Sequence, residues 1–200
     1  MGQVVPIQFV PECHADTALA LTLLGENQPV LRETEEARLQ LRQFVDHELG
    51  MGNVGRSMKR QLAEFGPRRI VVGLVDLDIR FDQQPYLREF TKVLGGNRIR
   101  KQDSYALLQH PVHTTHYLMV INPAFEMWLL ARVAEMGKSV ADFGLPTDFK
   151  FLKKYCKRLD AEYDPQLRAL LDAVAAANLP AYRALAEFVA QVMDLAGPQP

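Results

Sequence analysis

The sequence predicts an α/β protein, a mostly parallel sheet flanked by helices, followed by an all-helical C-terminal extension. Three observations carry that expectation. Residues 70 to 75, Ile-Val-Val-Gly-Leu-Val, form a nearly unbroken apolar and β-branched run without alternation, the pattern of a strand covered on both faces. Two further apolar runs, residues 4 to 10 and 116 to 121, are each followed closely by helical apolar spacing. From Ser139 onward the spacing is helical throughout. The expected organisation is an α/β unit over residues 1–138 and a helical extension over 139–200 packed on the same core.

Size and composition are compatible with this. A chain of 200 residues can bury a sizeable core without staples. A net charge of −1 excludes a global basic field but leaves room for a local basic patch. Cys13 and Cys156 are far apart and match no metal spacing, which fits free thiols in a reducing compartment. No apolar run approaches the roughly 20 residues of a membrane span, and the first residues lack the regions of a secretory signal. A cytoplasmic protein without a membrane segment is expected.

In chain order, residues 4 to 10 read as a first strand that Pro11 ends, with Glu12 at the junction to a helix. Ala18, Leu19, Leu21, Leu23 and Leu24 space that helix, Asp16 lies in its first turn, and Gly25 is placed to close it. A short extended piece at Pro29-Val30-Leu31 and a charged helical stretch from Thr34 through Glu48 follow, broken by Gly50, Gly52 and Gly55. Arg56, Lys59 and Arg60 then stand beside glycines at an expected helix start, where backbone amides and cations together suit phosphate; a solvated basic face is the plainer reading. The spacing is not that of a Walker A loop.

The central strand runs into Asp76 and Asp78. If extended backbone persists, the two acids share a face with Cα atoms roughly 6.5 Å apart, a spacing suited to a shared cation. Arg80 follows as a further cation. Residues 82–94 read as a helix striped by Tyr86, Leu87, Phe90 and Val93/Leu94 and stopped by Gly95-Gly96, before a polar connection carrying Arg98, Arg100 and Lys101. His110, His113 and His116 invite zinc, but Pro111 and the lack of a fourth ligand favour a loop. After the strand at 116–121, Asn122 is a favoured N-cap and Pro123 a favoured first helical residue, with Glu126 in the first turn. Three amphipathic segments, 148–159, 165–177 and 180–195, complete the chain before a frayed tail at 197–200.

Acids therefore stand at three strand ends: Glu12, Asp76 with Asp78, and Glu126. Each alone is explained by helix-dipole complementation or capping, yet their coincidence at strand-to-helix junctions points to a shared site, because open α/β sheets bind ligands beyond the carboxyl ends of their strands. Glu12-Cys13-His14-Ala15-Asp16 resembles the E-G-x-x-D segment of the Toprim fold, a Rossmann-like architecture, and Asp76-Leu77-Asp78 resembles its D-x-D. Asn122-Pro123-Ala124-Phe125-Glu126-Met127-Trp128-Leu129-Leu130 resembles the N-P-x-F-E-x-W-L-L signature of stand-alone Toprim-like proteins of the RloB type, related to OLD-family nucleases and associated with phage defence and mobile elements. Cys13 stands where the pattern has glycine, and no basic residue aligns with the family's catalytic cation.

The resemblance implies a Mg²⁺- or Mn²⁺-dependent nuclease or related phosphoryl-transfer protein. Glu12, Asp76, Asp78 and Glu126 would be the metal-binding and catalytic acids, and Arg56, Lys59, Arg60 and Arg80 the cations for nucleic acid. The alternative is a non-catalytic Toprim-like component whose helical C-terminal part docks a partner such as an ATPase, or a second copy of the chain.

Overall fold

The computed structural model describes residues 6–27, 40–98 and 105–196. The expected extended piece at 29–31, the first part of the 34–48 stretch, Arg100 and Lys101, and the tail lie outside the described residues.

Five strands make one open sheet in the order β1-β2-β5-β4-β3. β1 (Ile7–Pro11), β2 (Ile70–Asp76) and β5 (His116–Ile121) are mutually parallel, while β4 (Tyr105–Gln109) and β3 (Lys92–Gly96) continue the sheet antiparallel. The sheet is thus mixed, with its parallel half where the acids were expected. β2, central among the parallel strands, is buried at Ile70 through Val75, which accounts for its lack of polar alternation.

Alternate side chains serve two cores. Ile70, Val72 and Leu74 pack with α1 (His14–Asn27), α4 (Phe125–Glu135) and the C-terminal helices in one cluster extending to Ala196. Val71 and Val75 face the other side with Val54 and Met58 of α2 (Met51–Phe65), Leu118 and Val120. The C-terminal elements α5 (Phe149–Cys156), α6 (Pro165–Ala177) and α7 (Pro180–Ala196) contribute Leu152, Leu171, Leu185 and Phe188 to the first cluster. Asp148 caps α5 by accepting from the Phe151 amide at 3.1 Å, and Asp164 caps α6 by accepting from Gln166 and Leu167.

Several boundaries differ from the sequence reading. α1 continues through Gly25 to Asn27, because this glycine is buried inside the packed helix. Gly52 and Gly55 lie within α2 rather than before it, and the preceding stretch has left helix by Val45, which bridges Phe9 of β1. Residues 82–94 are not one helix. A turn at Phe81–Gln83 and the short α3 (Pro85–Arg88) bury Phe81, Tyr86 and Leu87, after which Val93 and Leu94 enter β3 and pair toward β4. Cross-strand pairing there overrides the helical spacing. Asn122 and Pro123 precede α4 rather than opening it; their peptide bond is cis and Ala124 is the N-cap.

Gly73 fixes how closely α2 approaches the sheet. A Cβ at this position would lie 2.5 Å from Met58 Sδ and 2.9 Å from Leu118 Cδ1. Gly73→Val should destabilise the protein by about 1–3 kcal/mol through overpacking, lowering Tm by several degrees. Thermal and denaturant unfolding of the variant checks this, and an unchanged Tm would contradict the tight packing at Gly73.

Candidate active site

Parallel register brings three strand ends level. Pro11 pairs with Leu74, and Asp76 with Ile121, so residues that follow β1, close β2 and follow β5 border one crevice. Glu12 leaves β1 with its amide donating to Leu74 O at 2.9 Å, and its Oε2 accepts the Asp76 amide at 3.3 Å. Asp76 shares the strand parity of Val72 and Leu74, which directs it toward the layer of α1 and α4. Its Oδ1 accepts the Phe125 amide at 2.8 Å, the first N–H of α4, so β2 caps this helix from a distant part of the chain. Glu126, the next residue, is buried.

Asp16 joins them. In the first turn of α1 it is 1% exposed, and neither of its carboxylate oxygens receives a hydrogen bond of ordinary geometry, although Cys13 lies close enough to ease its charge. Burial, and then the charge of Glu12, push its pKa up to about 8, with Glu126 adding to the shift. Asp76 is driven well above the usual carboxylate range by burial and by Asp16, Glu12 and Glu126 in turn. Glu12 is raised by burial, with Asp78 contributing. These mutual effects show Glu12, Asp16, Asp76 and Glu126 as one electrostatic group.

Asp78 stands at the rim. β2 ends at Asp76, so the extended spacing expected of the D-x-D does not persist. Asp78 Oδ1 accepts the Arg80 amide at 2.7 Å, and Oδ2 accepts from Arg80 Nε and Nη2 at 2.9 and 2.7 Å. Arg80 is thereby held beside the acids.

The expected cations divide. Gly50, at φ 94° where a side chain would be strained, turns the chain into α2 and donates its amide to Glu12 O at 3.0 Å. This sets the start of α2 against Glu12, whose carboxylate the Met51 amide also stabilises. Arg56 and Lys59, one and two turns along, line a cleft of about 240 Å³ with Gln84, Tyr86 and Glu89. A second cleft of about 140 Å³ shares Gly52, Arg56 and Gln84 with it and is also lined by Gly50 and Arg80. Arg60 instead reaches Glu48 at 3.7 Å and Ser57.

A second constellation was not foreseen from the sequence. His14, His47 and Glu162 bring one ligand atom each within 4.8 Å of one another, so this largely buried cluster could bind a metal ion. Among the described residues it is the set of three His, Cys, Asp or Glu side chains that converges this tightly, the four acids being more spread. The histidines that did draw attention serve a loop: His110 Nδ1 accepts the Val112 and His113 amides, its Nε2 meets Glu89 at 3.1 Å, and His116 lies buried in β5.

Comparison of the chain with protein-family models, curated proteins and solved structures finds no match. The established class is therefore that of the fold, an α/β protein with an open mixed sheet flanked by helices. No helix among the described residues is long and apolar enough to cross a membrane.

Asp16 gives the site a pH signature. Since its folded pKa lies above the unfolded one, stability tied to the protonated carboxyl is fully present below about pH 4 and is lost as pH rises toward 8. Asp76, raised by the same causes, acts with the same sign. In metal-free buffer the stability of Asp16→Asn relative to the native chain should grow by a few kcal/mol, on the order expected for such a shift, between pH 4.5 and 8. Urea unfolding across that range measures it; parallel curves would mean that Asp16 is not strained by charge.

Proposed function

We propose that the protein is a divalent-metal-dependent phosphoryl-transfer enzyme of the Toprim type, acting on nucleic acid, with Mg²⁺ or Mn²⁺ recruited by Glu12, Asp76 and Glu126 together with Asp16. The observation that carries this reading is the buried carboxyl of Asp16, eased only by nearby Cys13 and set among three other acids at the ends of parallel strands. Carboxylates so placed are relieved by protons or by hard cations with oxygen ligands. The chemistry fits, because a phosphodiester must be neutralised while water is activated, and bound divalent ions do both.

The neighbouring residues fit the same reaction. Arg56 and Lys59 line a cleft that shares Gly52, Arg56 and Gln84 with the one bordered by Arg80, at the start of α2, where the Gly50 amide donates to Glu12 O. Cys13 and Cys156 are unsuited to nucleophilic work at neutral pH, since burial followed by nearby acids pushes both thiols up. The sequence segment from Asn122 to Leu130 supports the RloB-like assignment and, through it, a place in phage defence or mobile-element biology. The spread of the acids favours a second reading: a binding component of the same fold that has lost turnover and works through a partner, an ATPase or another copy of itself.

Plasmid, single-stranded DNA and RNA incubated with Mg²⁺ or Mn²⁺ test the first reading. Cleavage should appear and fall by at least about a hundredfold in Asp76→Asn, which keeps the oxygen that accepts the Phe125 amide while removing the charge. Cleavage that is absent, or that survives this substitution, would refute it. Millimolar Mn²⁺ should also raise Tm by several degrees in the native chain, at about 2–4 °C per kcal/mol, and by much less in Asp76→Asn. Arg56→Ala with Lys59→Ala should weaken nucleic-acid binding and reduce the slope of log K against log salt by about two; an unchanged slope would remove the cleft from the interface.

A further inference from the structure

We infer that His14, His47 and Glu162 form a second metal site, for a zinc-class transition ion, which ties the C-terminal helical layer to the α/β layer. The ligands come from three segments: the first turn of α1, the stretch that follows the Val45 bridge, and the turn at Ala161–Tyr163 before α6. His14 Nδ1 lies 3.1 Å from Glu162 Oε1, the His14 and His47 rings have centroids 4.1 Å apart, and all three ligand atoms fall within 4.8 Å. Two imidazoles and one carboxylate are the donor set of many zinc sites that keep a fourth position open, and imidazole selects such ions over Mg²⁺.

This site is distinct from the acid crevice although α1 serves both. Residues two apart on a helix differ by about 200° in direction, so His14 and Asp16 look to opposite sides of α1. The Glu162 side chain is 3% exposed and His14 8%, and an acid buried so deeply requires a cation. Arg42 now fills that requirement: its Nε stands 3.1 Å from Glu162 Oε2, and its Nη2 3.0 Å from His47 Nδ1. The Arg42 side chain is 25% exposed and can withdraw to solvent, releasing the lone pairs of both partners to a metal.

Cobalt reports the site directly, because tetrahedral Co²⁺ with nitrogen ligands has intense visible d–d bands, whereas Co²⁺ in an octahedral oxygen site of the Mg²⁺ type absorbs only weakly. Full-length protein freed of metal with EDTA and titrated with Co²⁺ should develop these bands with one equivalent, and Zn²⁺ should abolish them. His47→Gln, at the most exposed of the three ligands, and Glu162→Gln should each weaken binding by about tenfold or more, with folding checked by circular dichroism. Arg42→Gln should bind more tightly than the native chain, since it removes the competing cation. Asp76→Asn should leave the bands intact, which separates this site from the acid crevice whatever the outcome there. The inference is overturned if the native chain shows no bands, if bands appear only in Arg42→Gln, or if they survive His47→Gln and Glu162→Gln together.

Discussion

The parallel pairing of β1, β2 and β5 is the constraint on which the rest depends. Because the three strands run the same way in register, their carboxyl ends finish side by side, and whatever follows them in sequence is forced into one crevice. Glu12, Asp76 and Glu126 converge for that reason alone, across separations of 64 and 50 residues along the chain. The local hydrogen bonds then fix their heads. Glu12 takes the Asp76 amide, Asp76 takes the first amide of α4, and Gly50 turns α2 toward Glu12. None of these bonds reaches Asp16, whose carboxyl has only Cys13 close enough to ease it.

Such an arrangement costs stability. Desolvation is the leading cause of the raised values at Glu12, Asp16 and Asp76, and mutual repulsion adds to it. The two core clusters on either side of the sheet supply the rigidity that holds this strain in place. Asp76 is at once a helix cap and a member of the acid group.

Much of the frame was legible because apolar runs and caps are local signals. The strand at 116–121 and the helix at 165–177 have the bounds read from the sequence, and the acids at strand ends were recognisable from the junctions they occupy. The region from 82 to 96 was misread because Val93 and Leu94 continue a 3–4 spacing that only pairing with β4 reveals as strand. Asp78 was placed by assuming that β2 continues, whereas the chain turns so that Arg80 can clasp it. Asp16 carried a usable signal, four positions after Glu12 in the first turn of a largely apolar helix, yet dipole complementation explains the same residue equally well. His14, His47 and Glu162 lie 33 and 115 residues apart, and no spacing rule links them; only the packing of the C-terminal layer on α1 does.

The margins of the sheet complete the picture. β1 presents its free side to residues 45–48, where Val45 bridges Phe9 and the amides of Asp46 and Glu48 donate to Phe9 O and Pro11 O. At the other margin, β3 is short, begins with Lys92 and loses register between Val93 and Gly95. Val93 and Leu94 are exposed there, at 58% and 44%, on a strand that would otherwise template a neighbour. A covered border on one side and a short, irregular one that begins with Lys92 on the other disfavour edge-to-edge growth of the sheet into ribbons.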